Sequence, residues 1–108
     1  MAGEDDVFRA LADPTRRALL DSLHAEGGQS VNGLCAQFPA MTRFGVMKHL
    51  SVLEDANLVV TLRAGRTKLH HLNPVPIQEI ANRWTSKFSL PITNALLGLR
   101  HELERPTA

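Results

Sequence analysis

The sequence predicts a mainly α-helical chain with one small β-hairpin, and three observations carry that expectation. Val46, Leu50 and Leu53 recur at i, i+4 and i+7 behind Thr42, a good N-cap, so a helix runs through them with one apolar face. A shorter helix, capped by Ser30 and running to about Gln37, precedes it across the break Phe38-Pro39-Ala40-Met41. Beyond it, Val59 to Ala64 and Arg66 to Leu72 are β-prone and flank Gly65, which permits the positive φ that hairpin turns need. Two helices across a tight turn and then a hairpin with a basic tip make a winged helix-turn-helix. The expected architecture has about five helices, a two-stranded wing and a helical dimer interface.

The bulk properties fit one such domain. The chain has 108 residues, 44% of them hydrophobic but only 5% aromatic, so its core is built from Leu, Val, Ile and Ala. No apolar run reaches membrane length and no signal peptide opens the chain, while a lone Cys35 excludes an intrachain disulfide and fits a reducing compartment. A cytoplasmic address and no membrane partner are the expectation. The net charge is only +1, but it is unevenly spread. Residues 27–78 carry Arg43, Lys48, Arg63, Arg66 and Lys68 against Glu54 and Asp55, a net of +3; the remainder carries −2. The electropositive middle suits a phosphate-bearing partner.

In chain order, residues 1–6 are polar and acidic and are expected to fray. Val7, Phe8 and Leu11 have helical spacing and define a short first helix. Asp13-Pro14 starts the second, Asp as N-cap and Pro where a missing N–H costs nothing. Leu19, Leu20 and Leu23 line its buried face and Gly27-Gly28 ends it; Arg16 and Arg17 are placed on a solvated face. In the third helix Val31 and Leu34, with Phe38 beyond, point inward. Around Met47 and Lys48 the fourth helix exposes Thr42, Arg43 and Phe44, and Asn57 follows where a helix stops, suited to a left-handed C-cap. In the wing, Thr61, Arg63, Lys68 and His70 share one face, Leu62 and Leu69 the other.

Asn73-Pro74-Val75-Pro76 is a hinge into a last helical region. Ile77, Ile80, Ala81, Trp84 and Phe88 form one apolar stripe there, and Ile92, Ala95, Leu96, Leu99 and Leu103 repeat its spacing. Pro91 between them kinks the helix or restarts it, with Ser89 helping to satisfy the freed backbone groups. So much apolar surface at the end of a small domain points to a two-fold dimer shared with Val7 and Phe8. The working division is one domain over 1–108: helix-turn-helix 30–56, wing 58–73, dimerisation helices 5–12 and 75–104.

The segments Phe8-Arg9-Ala10-Leu11-Ala12-Asp13-Pro14-Thr15-Arg16-Arg17 and Val46-Met47-Lys48-His49-Leu50-Ser51-Val52-Leu53-Glu54, then Leu58-Val59, resemble the ArsR-type (arsenic-repressor-like) winged-helix transcription regulators. The resemblance runs from about Val7 to Leu103. Residues 42–50, with Leu72-Asn73-Pro74 and Arg83-Trp84, are similar to a non-metal branch of that family. It implies a homodimeric repressor on a pseudo-palindromic operator in double-stranded DNA, released by a signal. Carried onto this chain, Thr42, Arg43, Phe44, Met47 and Lys48 face the major groove, and Arg63, Arg66 and Lys68 serve the wing. Arg43 is the expected reader of a guanine edge, Lys48 a phosphate contact. Met47 stands where the family often has a Ser, Asn57 where it has a Gly, and Leu69 and His71 where it often has Tyr.

Other chemistries find little support. Cys35 alone cannot supply the cysteine pair of one family metal site, and reads as a small buried hydrophobe. His101 and Glu104 have i, i+3 spacing, but their upstream partners would be Phe88 and Leu90, which cannot ligate. His70 and His71 point to opposite strand faces, and His49 reads as a packing or phosphate-contact residue. There is no catalytic triad, Gly-rich phosphate loop or facing carboxylate pair, so neither an enzyme nor a cofactor is expected. Two alternatives of the same fold remain: a metal- or small-molecule-responsive sensor with a pocket at Trp84 and Phe88, and a protein-interaction module using its last helix.

Overall fold

The structure is a computed structural model, and it describes residues 3–88 and 90–104, the side chains of residues 90–92 excepted. Within those residues the order is α1 (Glu4–Leu11), α2 (Pro14–Ala25), α3 (Val31–Gln37), α4 (Arg43–Asp55), β1 (Val59–Ala64), β2 (Thr67–Leu72), α5 (Val75–Lys87) and α6 (Leu90–Glu104). The chain divides into two compact units, Met1–Ile77 and Gln78–Ala108.

The first unit is the winged helix-turn-helix. Its core is Val7 and Ala10 of α1, Leu19, Leu20 and Leu23 of α2, Leu34 of α3, Val46, Leu50 and Leu53 of α4, with Ala56, Leu58 and Val59. These are the apolar stripes of four short helices turned toward one another, and none of the helices is long enough to be stable alone. The caps fall where the sequence puts them. Asp13 accepts from the N–H groups of Thr15 (2.8 Å) and Arg16 (3.1 Å). Ser30 accepts from Gly33 at 3.1 Å and Thr42 from Gly45 at 3.0 Å. Asn57 sits at φ 61°, left-handed, and closes α4.

The hairpin is antiparallel, with Val59 opposite Leu72 and Ala64 opposite Thr67. Gly65-Arg66 is therefore a two-residue loop, and β2 begins at Thr67 rather than at Arg66. Gly65 has φ +63°, while Asn57 is the one non-glycine with positive φ among the described residues. Positive φ at the first loop position alone is the type II′ pattern, which matches the twist of the strands. Thr61 pairs with His70 and Arg63 with Lys68, so they share a face as expected, opposite the Leu62–Leu69 pair. The polar face is the one that meets the core at its base: His70 is buried, whereas Leu62 is exposed.

That burial is explained by a tie the sequence does not reveal. Gln29 bridges His70 as a short third strand. The His70 N–H donates to the Gln29 carbonyl (2.8 Å), and Gly28 and Gln29 donate back to the His70 carbonyl (2.9 and 3.2 Å). The His70 ring Nδ1 also lies 3.0 Å from the Gln29 carbonyl. Gln29 is itself buried, its amide donating to the carbonyls of Ser22 (3.0 Å) and Glu26 (2.8 Å) at the end of α2.

Several expectations are corrected. Glu4 to Asp6 belong to α1 rather than to a frayed end, because the Gly3 N–H donates to the Asp6 carboxylate (3.0 Å) and closes the first turn. Met1 and Ala2 lie outside the described residues. The second helix ends at Ala25, before the glycines. Cys35 is half-buried, not fully buried. The described residues hold six helices, not about five, because the last region is two. Pro91 restarts the helix: it is the second residue of α6, where a missing N–H leaves no bond unmade. Ser89 and its expected role lie outside the described residues.

The second unit is short on burial. Trp84 and Phe88 stack with ring centroids 6.0 Å apart, and Lys87 Nζ lies 4.2 Å from the Trp84 ring centre. Both rings are exposed, so they are neither core nor a closed pocket. Leu96, Leu97, Leu99 and Leu103 of α6 are exposed as well, and Glu104 is held by Arg100 at 3.1 Å.

Candidate nucleic-acid interface

The geometry of α4 separates two jobs along one helix. Val46, Leu50 and Leu53 anchor one side, and each is almost fully buried. The opposite side is then open by the 3.6-residue repeat. Phe44 is 76% exposed and Met47 48% exposed. Thr42, Arg43, Lys48 and Ser51 are exposed beside them. Every residue expected from the sequence on the reading face is on the outside of the helix.

The expected wing residues Arg63, Arg66 and Lys68 are exposed as well. Arg66 stands in the hairpin loop itself. Lys68 is partly committed, since its Nζ pairs with Glu54 of α4 at 3.2 Å. A cleft of about 310 Å³ brings the two elements together, lined by Ser30 and Asn32 of α3, Arg43 of α4, and Arg66, Thr67 and Lys68 of the hairpin. Arg43 donates to the side-chain carbonyl of Asn32 across the helix-turn-helix. Asn32 was not a sequence candidate, because a small polar residue in a first turn carries no signal of what it faces.

Arg16 and Arg17 are corrected most. They are not on a solvated face. Arg16 donates through Nε to the Ala10 carbonyl (2.8 Å) and through Nη2 to that of Arg9 (3.0 Å). Arg17 donates to the Leu11 carbonyl at 2.6 Å. Together they satisfy the last carbonyls of α1, which a helix end leaves without intrahelical partners. Arg16 also reaches α4, its Nη1 lying 3.3 Å from Nδ1 of His49. A guanidinium only donates, so Nδ1 accepts and the ring proton sits on Nε2. His49 is therefore a link between α2 and the reading helix. Asp13 completes the cluster, 3.8 Å from Arg16. Its carboxyl is held below the ordinary 3.8, chiefly by the Arg16 backbone N–H, with the Thr15 N–H and the Arg16 and His49 charges adding to it against partial desolvation.

The residues expected to pair two copies divide. Val7 is 3% exposed and belongs to the core, whereas its neighbour Phe8 is exposed. Trp84, Phe88, Leu96, Leu99 and Leu103 are exposed, Ile80 is half-buried, and the Ile92 side chain lies outside the described residues. Among the described residues no three His, Cys, Asp or Glu side chains gather as metal ligands. Nor is any helix there long and apolar enough to cross a membrane.

Known proteins share this arrangement. The profile of a helix-turn-helix domain family matches residues 11–61. The chain is 35% identical to an uncharacterised helix-turn-helix transcriptional regulator of Bacillus subtilis, YuzN, over 75% of this chain and 94% of that one. It is 32% identical to the Bacillus subtilis transcriptional repressor SdpR, over 78% of this chain and 90% of the relative. A crystal structure of an ArsR family transcriptional regulator superposes with TM-score 0.67 at 32% identity, covering 77% of this chain and 89% of that one. An ArsR-like regulator from Rhodococcus sp. RHA1 gives 0.69 at 26% identity, over 95% and 92%. Buried stripe, outward basic helix, wing and sequence agree, and the chain belongs to the ArsR family of winged helix-turn-helix transcription regulators.

Proposed function

We propose that the protein is a homodimeric repressor that binds a pseudo-palindromic operator in double-stranded DNA and acts in the cytoplasm. The observation that carries the reading is the split face of α4, with Val46, Leu50 and Leu53 buried while Phe44 and Met47 stand outside among Thr42, Arg43 and Lys48. An exposed helix of this kind fits a major groove, and the hairpin with Arg63, Arg66 and Lys68 reaches the flanking backbone. Phe44 and Met47 suit thymine methyl groups, so DNA shape and apolar contact share discrimination with hydrogen bonds. Repression follows the relative named a transcriptional repressor.

Two copies are the working state. Phe8 with Trp84, Phe88, Leu96, Leu99 and Leu103 gives each copy more exposed apolar surface than a monomer of this size ordinarily carries. The pairing helices are 5–12 and 75–104, and the helix-turn-helix 30–56 and wing 58–73 form the reader of the same functional domain. The regulator belongs to the non-metal branch, since Cys35 has no second thiol and Phe88 and Leu90 stand where ligands would be needed.

A mobility shift on the promoter DNA beside the protein's own coding region tests this, run at several salt concentrations with zinc and with chelator. The expected result is a retarded complex of two chains per duplex, weakened by salt and indifferent to zinc. No shift under any condition would sink the reading, and a shift that needs or is abolished by zinc would sink the non-metal assignment.

A further inference from the structure

We propose that the cleft between α3, α4 and the hairpin loop is a seat for one backbone phosphate of the bound DNA, and that Arg43, positioned by Asn32, grips that phosphate rather than reading a guanine. The inference rests on the reading that α4 docks on DNA and assigns its first residue a different task from the one its sequence position suggests.

The cleft has the chemistry of an oxyanion site. Arg43, Arg66 and Lys68 converge on it from two elements, and Ser30 and Thr67 bring hydroxyl groups. Among the described residues no carboxylate lines it. Glu54 reaches Lys68 from α4, so that one cation is partly neutralised. Arg43 and Arg66 therefore carry most of the field inside the cleft. At about 310 Å³ the cleft is large enough for a phosphodiester group with ordered water.

Arg43 is held toward this cleft. Its Nη1 donates to the Asn32 side-chain carbonyl, which draws the guanidinium toward α3 and away from the line of Phe44 and Met47. A guanine edge requires two N–H groups of the fork pointing outward together. With one nitrogen committed to Asn32, the remaining N–H groups face the space shared with Arg66, where a phosphate oxygen can accept from both arginines. Asn32 thus acts through Arg43 as a positioning residue.

Phosphate contacts and base contacts leave different signatures. Removing a phosphate contact weakens every sequence alike and lowers the salt dependence by about one counterion; removing a base contact relaxes one position of the site. The test uses the full chain and a duplex that the wild-type protein selects from a randomised library. Arg43→Ala is expected to bind that duplex and a scrambled one more weakly by the same factor. Its affinity should fall about threefold less than wild type between 50 and 200 mM salt. A repeated selection with this variant should return the same consensus.

Asn32→Ala should shift affinity in the same direction, and should have little further effect once Arg43 is Ala. Both side chains are exposed, and unchanged circular dichroism would verify that the variants fold. A new base preference at one position per half-site, with the salt slope unchanged, would make Arg43 a base reader; the phosphate seat would fall while the DNA-binding reading stood. A wild-type chain that selects no sequence would remove the reading and the seat with it. Independent, additive effects of Asn32→Ala and Arg43→Ala would remove the positioning role.

Discussion

Arg16 shows how one side chain can close the end of a helix it does not belong to. Its guanidinium gives one N–H to Ala10, one to Arg9 and one to His49, and only 15% of its side-chain surface is exposed. Truncation would leave helix-end carbonyls partly buried without donors, which typically costs about 1–3 kcal/mol. Arg16→Ala is therefore expected to lower the urea midpoint by that amount, and Arg16→Lys to recover only part of it, because an ammonium cannot fork to three acceptors. A Lys variant as stable as wild type would refute the three-way geometry. Asp13 adds a pH dependence. Its folded carboxyl binds a proton less readily than the unfolded one, so the cap contributes stability above the ordinary aspartate value of 3.8 and loses it as pH falls through the lower folded value. Asp13→Asn should flatten the acid limb of a stability profile below about pH 4 and leave its neutral slope unchanged.

At the scale of elements, the strained point is the end of α4. Asn57 holds a left-handed φ of 61° while its carbonyl accepts from the Asn73 side chain at 2.9 Å. Gly at that position removes the Cβ conflict and keeps the carbonyl. Asn57→Gly is expected to raise stability by about 0.5–1 kcal/mol in chemical denaturation, with the DNA-facing residues untouched. That site was legible in the sequence, as were the caps Asp13, Ser30 and Thr42, because capping and left-handed turns depend on one or two adjacent residues. The stripes of α2 and α4 were legible from their period. What escaped were contacts with no local signature. Arg16 looks like any surface arginine until the end of α1 is placed six residues behind it. Gln29 pairs with His70 across 41 positions, and a one-residue strand has no alternation to read. Pro91 marked a break, but the choice between kink and restart is made by where α6 begins.

For the whole molecule, the main quantity at stake is the apolar surface that one copy exposes. Trp84, Phe88, Leu96, Leu99 and Leu103 are far from the buried stripes of residues 7–59 in character as well as sequence: they are exposed, and the charges around them come from Arg83, Lys87 and Arg100. Sedimentation is expected to give particles of twice the 11.9 kDa chain mass. Leu99→Glu should shift them toward single chains and cut operator affinity at least tenfold, since one half-site alone is held by half the contacts. A monomeric wild-type chain with full operator affinity would contradict the paired state. The reader itself was legible at this scale from charge: the net +3 of residues 27–78 maps onto α4 and the hairpin. The cleft that joins them was not, because Asn32, Arg43 and Arg66 meet only after the hairpin is in place.

The Gln29 bridge has a mechanical consequence. It pins the base of β2 to the residue just before the Ser30 cap, so the lower hairpin and the start of α3 are one rigid body. Flexing is left to the stretch above His70, a short lever of Arg63 to Lys68 closed by the Gly65-Arg66 loop. Such a finger can follow a change in groove width by bending at its tip, without pulling the reading helix out of register.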